Sequence, residues 1–172
     1  MKTITIMSGK GGVGKSSITA SLAITLVKRL KIVCADCDVD ASNLALVFGI
    51  SQHQYTEWKP VAARHEPKID MSACTRCNRC VKECYFNALE MTDKGPQLKS
   101  HNCEGCGVCE IVCPQQAVTM QDAKNAMIGY AQTPYGFSVV SAQLDVGDSG
   151  SGKVVSQVKT QAATFDADLM II

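Results

Sequence analysis

The sequence predicts an α/β fold with a parallel sheet, interrupted by a smaller cysteine-rich α+β module. Three observations lead to this prediction. A stretch of alternating β-branched and apolar residues at 3–7 precedes a glycine-rich segment and then a helical apolar pattern. Eight of the ten cysteines follow between residues 74 and 113, in two copies of one spacing. Strand and helix patterns then return, so we expect one α/β domain at 1–60 and 123–172 around an insert at 61–122.

The glycine-rich segment SGKGGVGKSS, residues 8–17, predicts a phosphate-binding loop. Its G-x-x-x-x-G-K-[ST] spacing is typical of loops whose backbone N–H groups surround phosphate oxygens, and glycines leave that approach open. The spacing assigns Lys15 to the β and γ phosphates and the Ser16 hydroxyl to Mg²⁺. The predicted nucleotide contacts of the loop are Gly9, Gly11, Gly12, Val13, Gly14, Lys15, Ser16 and Ser17.

The residues after the loop predict a helix and a second buried strand. The apolar side chains that share one helical face are Ile18, Leu22, Ala23, Leu26, Val27 and Leu30. The segment KIVCAD, residues 31–36, then has the composition of a buried strand. Strand, loop, helix and strand form a right-handed parallel unit, which places its ligand at the carboxyl ends of the strands.

A second lysine, Lys10, stands near the start of the loop in KGGVGKS. This segment resembles the deviant phosphate loop of the MinD/ParA family of ATPases. The resemblance implies ATP and Mg²⁺ as cofactors. It also implies a homodimer, or a dimer with a related ATPase, in which Lys10 reaches the partner's nucleotide.

The acidic segment DCDVDASNL, residues 36–44, extends the resemblance, because family members carry an acidic switch there. It implies that Asp36 lies near Mg²⁺ and that Asp38 positions the attacking water, as Mg²⁺-dependent phosphoryl transfer requires. Asn43 matches a further family position. The implied catalytic residues are thus Lys10, Lys15 and Asp38, whereas for Asp40 we prefer a role as cap of the next helix.

Composition favours a protein of the reducing cytoplasm. The formal net charge is +1 without a run of like charge, so neither a nucleic-acid partner nor a membrane surface is indicated. We recognise neither a signal peptide nor an apolar stretch of membrane-spanning length, and closely spaced cysteines then indicate metal or redox chemistry rather than disulfides. Cys34 and Cys37 lack cluster spacing, and we interpret them as small buried side chains, with a redox role left open for Cys37.

The cysteine-rich region is an internal repeat. CTRCNRCVKECYFNALEM, from Cys74, recurs 29 residues later as CEGCGVCEIVCPQQAVTM, from Cys103. Each copy has the C-x₂-C-x₂-C-x₃-C run of two-cluster bacterial ferredoxins, in which the fourth cysteine ligates the other cluster. The run therefore predicts two [4Fe–4S] clusters, one held by Cys74, Cys77, Cys80 and Cys113, the other by Cys103, Cys106, Cys109 and Cys84. Zinc sites more often use two close pairs of ligands.

The two copies differ after their fourth cysteine, where Pro114 has Tyr85 as its counterpart. Since proline fixes φ and lacks an N–H donor, we expect the turn after Cys84 to depart from ferredoxin geometry while Cys84 stays a ligand. Backbone N–H groups around Asn102, Gly105 and Gly107 can bond to cluster sulfurs. The preceding segment, residues 51–70, is polar with two prolines and is predicted to be a connection.

The last third predicts a return to the sheet. Residues 125–147 have the pattern of short strands with turns at 133–134 and 135–136, and residues 149–165 begin with capping residues of a helix. Residues 166–172, DADLMII, predict another buried strand. In MinD/ParA relatives a D-x-P-x-G switch follows such a strand, so the resemblance implies the N-terminal portion of a longer ATPase with only part of the hydrolytic apparatus.

Taken together, the two motifs resemble the iron–sulfur branch of MinD/ParA ATPases. The leading hypothesis is an ATP-binding iron–sulfur protein that couples nucleotide binding and hydrolysis to electron transfer through two [4Fe–4S] clusters to a redox partner. An iron–sulfur cluster assembly or carrier ATPase is the alternative, although eight ligands in two closed sites favour permanent redox centres. A spatial-positioning ATPase is a weaker alternative.

Overall fold

The computed structural model describes residues 1–99, 102–148 and 151–172, and the chain divides into two compact units. The first, which we call the sheet unit, comprises residues 1–61, 126–144 and 151–172. The second, the cysteine unit, comprises residues 62–125 and 145–148. In the described parts of the chain, no helix has the length and apolar character needed to cross a bilayer.

The sheet unit is built on a six-stranded, mostly parallel sheet with the order β1-β10-β2-β9-β8-β3. Its strands are β1 (Lys2–Ile4), β2 (Ile32–Asp36), β3 (Glu57–Val61), β8 (Ala126–Gln132), β9 (Ser138–Leu144) and β10 (Leu169–Ile171). The first four in spatial order run parallel, whereas β8 runs antiparallel to both of its neighbours. The predicted parallel sheet is therefore mixed, because the turn at residues 133–136 joins β8 and β9 as a hairpin.

The predicted strand at 166–172 is confirmed as β10, and it lies between β1 and β2. All three residues of β10 and all five of β2 are buried, as expected for central parallel strands covered on both faces. The predicted strand at 3–7 is shorter than expected, since β1 ends at Ile4. The Ile6 N–H still donates to the Ile172 carbonyl at 2.8 Å, which carries the chain along the sheet to the glycine loop.

Three α-helices belong to the sheet unit: α1 (Lys15–Leu26), α2 (Leu44–Val47) and α5 (Ser151–Ala162). The helix predicted after the glycine loop is confirmed as α1, but its predicted buried face is wrong in part. Ile18 is 57% exposed, and the buried residues are Thr19, Ala20 and Ala23. Small side chains let α1 approach β2 closely, which the apolar pattern alone did not indicate.

Helices cover both faces of the sheet. One core cluster joins α1 and α2 to alternate sheet residues, including Ile32, Cys34 and Val139. Because side chains alternate along a strand, their neighbours Val33 and Val140 point to the other face. There α5 packs on β2 and β9 through the buried residues Val154, Val158 and Ala162. The helix predicted in 149–165 is thereby confirmed, while its predicted capping residues at 149 and 150 lie outside the described residues.

The predicted connection at 51–70 does lead from the sheet unit into the cysteine unit, but most of it is regular structure, which its polar composition did not indicate. It contains a 3₁₀ turn (Gln52–Gln54), β3 at the edge of the sheet, and β4 (Arg64–Ile69) in the cysteine unit. Pro60 and Pro67 are compatible with this arrangement. A proline lacks an N–H, and an edge strand tolerates it where that N–H would face solvent and not the neighbouring strand.

In its described residues, the cysteine unit contains two small antiparallel ladders and two short helices. Its remaining elements are α3 (Arg79–Lys82), β5 (Leu89–Thr92), β6 (Gly95–Leu98), α4 (Val108–Ile111) and β7 (Val118–Ala123). Strand β4 pairs with β7, and β5 pairs with β6. Helix α4 begins 29 residues after α3, the period of the sequence repeat, so the duplication extends to the secondary structure.

Residues 145–148 leave the sheet after β9 and belong to the cysteine unit, a return that the predicted boundaries do not include. The Asp145 N–H donates to the Asn125 carbonyl at 3.0 Å. Asp148 accepts hydrogen bonds from the buried Arg64 guanidinium, with an Nη2–Oδ1 distance of 2.8 Å. A buried arginine needs a carboxylate partner, and this one comes from 84 residues further along the chain.

Candidate nucleotide site and cysteine cavities

The glycine loop joins β1 to α1 and leaves the first turn of that helix open. Gly12 and Gly14 have left-handed φ angles of 71° and 86°, which glycine adopts without strain. Gly14 is the N-cap, so no side chain caps the helix, and its first N–H groups are free to receive an anion. A Cβ atom on Gly9, Gly11, Gly12 or Gly14 would meet no atom within 4 Å, so the loop borders open space.

A cavity of about 500 Å³ lies at the carboxyl ends of β1 and β2. Four of the predicted site residues line it, namely Lys15, Ser16, Asp36 and Asp38. The others lie outside its lining: Lys10, Asn43, Ser17 and the loop residues Gly9, Gly11, Gly12, Val13 and Gly14. A lysine, a hydroxyl and two carboxylates at one rim provide the groups that a magnesium-bound phosphate chain needs.

Ser16 and Asn43 contact each other across 27 positions of sequence. The Ser16 hydroxyl donates to the Asn43 side-chain oxygen at 2.8 Å. This bond links the start of α1 to the residue before α2, so a ligand that recruits the Ser16 oxygen would compete for the same hydroxyl group.

Asp36, at the end of β2, is buried and organises the segment that follows. Its carboxylate accepts hydrogen bonds from the Ser42 hydroxyl at 2.8 Å, the Leu44 N–H at 2.9 Å and the Asp38 N–H at 3.2 Å. Burial raises the pKa of Asp36, and these three donors offset part of that rise. The carboxylate of Asp38 is exposed beside it.

The preferred role of Asp40 as a helix cap is wrong. Helix α2 begins at Leu44 with Asn43 in the N-cap position, and its first N–H is satisfied by Asp36 from outside the helix. Asp40 lies in the turn before it and is exposed. A buried carboxylate from the preceding strand thus replaces the local cap that the sequence indicated.

Lys159 and Cys37 are among the further residues that line the nucleotide cavity. Lys159 on α5 brings a second positive side chain to it, which was missed because no motif surrounds this residue. Cys37 also lines the cavity, and its side chain is half-buried. Burial raises the pKa of the Cys37 thiol, while the charge of Lys159 acts in the opposite direction.

In the cysteine unit, each predicted ligand set lines its own small cavity. Cys74, Cys77, Cys80 and Cys113 line the first cavity. Cys84, Cys103, Cys106 and Cys109 line the second. Each cavity therefore takes three cysteines from one repeat and the fourth from the other. Among the described residues, no three His, Cys, Asp or Glu side chains surround a single ion.

The backbone around the two cavities repeats as well. Left-handed residues occur in pairs separated by the repeat period: Arg76 (φ 54°) and Gly105 (φ 68°), Asn78 (65°) and Gly107 (77°), Asn87 (51°) and Gln116 (50°). Gly105 has no room for a side chain, since a Cβ atom would lie 2.7 Å from the His65 carbonyl oxygen. The Gly105 N–H bonds to the Cys103 sulfur in the second cavity, and successive N–H groups in such turns can bind anions or cluster sulfurs.

The expected distortion after Cys84 is wrong. The Ala88 N–H donates to Cys84 Sγ at 3.2 Å, and the Ala117 N–H donates to Cys113 Sγ at the same distance. Both turns also close with a backbone bond of 3.1 Å to the cysteine carbonyl. Tyr85 is 89% exposed and packs edge-on against Phe86, so it changes the surface rather than the turn.

Burial also raises the pKa of several cavity thiols. The pKa values of Cys80 and Cys103 lie above the ordinary value, and that of Cys109 rises to about 11, chiefly because the side chains are withdrawn from water. A metal that binds these sulfurs as thiolates must therefore displace protons.

The mostly parallel sheet, the glycine loop at the start of α1 and the cavity at the strand ends define a nucleotide-binding α/β domain. The chain matches the CobQ/CobB/MinD/ParA nucleotide-binding domain over residues 4–172, and it belongs to that family. This result confirms the predicted MinD/ParA resemblance at the level of the family.

Several curated proteins are similar to the chain. An uncharacterised protein of Methanocaldococcus jannaschii is 40% identical over 170 residues, which are 98% of this chain and 58% of that protein. A cytosolic Fe-S cluster assembly factor of Candida albicans is 45% identical over 64 residues, 34% of this chain and 22% of its own length. One component of an ion-translocating oxidoreductase complex of Methanosarcina acetivorans is 33% identical over 48 residues, 28% of this chain and 18% of its own length. The chain thus spans less than two thirds of each of these relatives.

Proposed function

We propose that this chain is an ATP-binding iron–sulfur protein in which nucleotide binding controls electron transfer through two [4Fe–4S] clusters. The observation that carries the proposal is the presence, in one polypeptide, of an open phosphate loop and two cavities that are each lined by four thiols. Membership in the CobQ/CobB/MinD/ParA family supports nucleotide binding by this chain. The similarity to a component of an oxidoreductase complex supports electron transfer.

At the nucleotide cavity, the loop N–H groups and Lys15 would hold the phosphates. Ser16 would exchange its bond with Asn43 for a bond to Mg²⁺, and Asp36 would orient the magnesium shell from the end of β2. The exposed carboxylate of Asp38 would orient the attacking water. In a dimer, Lys10 would act on the partner's nucleotide, as the family resemblance implies.

In the cysteine unit, each set of four thiols fits a [4Fe–4S] cluster, because the donors are thiols and the left-handed turns supply N–H groups. When bound, each cluster stores and passes on one electron. Cys84 and Cys113 each lie on one repeat and line the cavity of the other repeat. These two residues therefore tie both cavities into one folding unit.

The sheet offers a route for coupling. Asp36 lies at the end of β2, which pairs with β9, and β9 pairs with β8. The chain enters the cysteine unit directly after β3 and leaves it directly before β8, and these strands pair with each other. A movement at the end of β2 is thus connected through hydrogen-bonded strands to two of the covalent attachments of the cysteine unit, the one after β3 and the one before β8.

The test is a redox titration of the anaerobically reconstituted chain with and without MgATP. We expect MgATP to shift a cluster potential in the parent and in Lys28→Ala, an exposed lysine beyond α1, but not in Lys15→Ala. Iron content and circular dichroism would show that all three proteins are folded and loaded. Identical potentials with and without MgATP in the parent would contradict the coupling.

A second function, iron–sulfur cluster assembly, is favoured by the similarity to a cytosolic Fe-S cluster assembly factor. Cys77 and Cys106 are also exposed, so each cavity is open on one side. Mixing the loaded chain with apo-aconitase distinguishes the two functions. Electron transfer predicts that the iron stays on the chain, whereas recovered aconitase activity with loss of iron from the chain would favour assembly.

A further inference from the structure

The two cysteine cavities match in ligands and backbone but differ in charge. The first is lined by Arg76 and Arg79 and by no acidic residue, whereas the second is lined by Glu104 and by no basic residue, within the described chain. The repeat relates these positions directly. Arg76 corresponds to Gly105, Arg79 to Val108, and Thr75 to Glu104. Since the backbone repeats, the contrast comes from the side chains alone.

Arg76 occupies a position that its repeat partner fills with glycine. Its φ of 54° is left-handed, which is unfavourable for a long side chain. The guanidinium is held by a hydrogen bond from Nη1 to the Asp93 carbonyl at 3.1 Å. The first cavity therefore has a charged side chain at a position where the second has none.

Helix α3 extends this charge outward. Arg79 and Lys82 are exposed and three residues apart, so they share one face of the helix. Their counterparts on α4 are Val108 and Ile111, the latter 81% exposed. In the part of the chain that the structure describes, the ion pairs leave out Arg76, Arg79 and Lys82. We call these three residues the basic rim.

We propose that the basic rim is the docking surface of an acidic one-electron carrier protein, and that electrons cross at the cluster held by Cys74, Cys77, Cys80 and Cys113. This proposal rests on the proposed function. One electron moves between that cluster and the carrier's redox centre, so one is oxidised as the other is reduced, with no bond or proton transferred. Cys77 is exposed beside the rim, which provides a short path.

The positive charges of the basic rim favour electron transfer at this cluster in two ways. Arginine and lysine around a site steer an acidic partner to it and fix its orientation. They also stabilise the more negative, reduced state of a nearby cluster. Glu104 has the opposite effect at the second cavity. With the clusters bound, the cavity of Cys74, Cys77, Cys80 and Cys113 would therefore hold the one of higher potential, next to the docking surface.

The kinetic test compares two variants with equal net charge, Arg79→Gln/Lys82→Gln in the rim and Lys28→Gln/Lys124→Gln at exposed lysines that line neither cavity. The reduced, loaded chain is mixed with oxidised flavodoxin, an acidic carrier, or with oxidised cytochrome c, a basic one. We expect the rim variant to react about tenfold more slowly with flavodoxin at low salt, with no slowing towards cytochrome c. Added salt should remove most of the difference. Equal slowing in both variants would overturn the proposal.

Midpoint potentials, followed by electron paramagnetic resonance, give a readout that does not depend on a partner. The rim variant should lower only the higher potential, and Glu104→Gln should raise only the lower one. Unchanged potentials together with unchanged flavodoxin rates would overturn the proposal while leaving the clusters in place. If no clusters assemble at all, the proposed function itself fails. Loss of single-stranded DNA binding in the rim variant, with normal flavodoxin rates, would instead show a phosphate-binding surface.

Discussion

Cys34 shows how a residue that bears reactive chemistry becomes inert. Its side chain lies fully buried in the middle of β2, among the core residues under α1 and α2. Burial raises the pKa of the thiol from 9.0 to about 12, and the nearby Asp36 carboxylate adds to the rise. The thiol therefore stays protonated and acts as a small apolar side chain, in contrast to the half-buried Cys37.

Because Cys34 is buried, the free energy of unfolding depends on pH in the alkaline range. The unfolded chain loses the Cys34 proton near pH 9.0 and the folded chain near 12, so stability falls as pH rises between these values. Cys34→Ala should cost about 1 kcal/mol at neutral pH through lost packing. The difference in free energy of unfolding between the parent and Cys34→Ala, measured by urea denaturation, should narrow above pH 9.0. A gap that stays constant with pH would contradict this prediction.

At the scale of the element, the edge of the sheet depends on a glycine. Gly129 on β8 lies opposite Trp58 on β3. A Cβ atom at this position would overlap the Glu57 carbonyl oxygen and come within 2.7 Å of the Trp58 ring. Strand β3 can therefore pair closely with β8 only because residue 129 lacks a side chain.

Replacing this glycine should detach the edge strand. We expect Gly129→Ala to lower the free energy of unfolding by about 3 kcal/mol, because the clash is with backbone. The matched variant Gly152→Ala adds the same methyl group on α5, where no atom lies within 4 Å. It should stabilise the protein by about 1 kcal/mol, since alanine favours a helix. Urea denaturation of both variants tests the contrast, and equal effects would contradict it.

At the scale of the whole molecule, matching hydrogen bonds connect the two cysteine repeats in both directions. The Asp70 N–H donates to the Ala117 carbonyl at 2.7 Å, and the Lys99 N–H donates to the Ala88 carbonyl at 2.7 Å. Each bond connects the lead-in of one repeat with the end of the other. The fourth cysteines cross in the same way, so neither half can complete its cavity alone.

Double substitutions test this crossing. If Cys77 and Cys113 serve one cluster, Cys77→Ala/Cys113→Ala should keep about four of about eight irons per chain, because the other cluster stays intact. Cys106→Ala/Cys113→Ala damages both sets and should lose nearly all iron. Iron analysis of the reconstituted proteins measures this difference. The reverse ranking would show that each repeat binds its own cluster.

Much of the fold followed from local patterns. The strand at 32–36 was predictable because it is a short run of continuously buried residues, and the helix around Val154, Val158 and Ala162 because its buried residues repeat with the helical period. The edge strand β3 was not, since its pattern is mostly exposed and its stability comes from β8, nearly 70 residues away along the chain. The predicted capping role of Asp40 was wrong for a similar reason. The carboxylate that accepts the first N–H of α2 belongs to Asp36, at the end of β2.

The sequence by itself determined the glycine-rich loop motif and the period of the cysteine repeat, because these depend on spacing within short segments, while the crossing of Cys84 and Cys113 was predicted from the resemblance to two-cluster ferredoxins. Tertiary structure alone decided that β10 enters between β1 and β2, that Lys159 reaches the nucleotide cavity, and that Arg64 pairs with Asp148. These contacts join residues far apart in the chain. Their partners are selected by sheet pairing and burial, which no local spacing encodes.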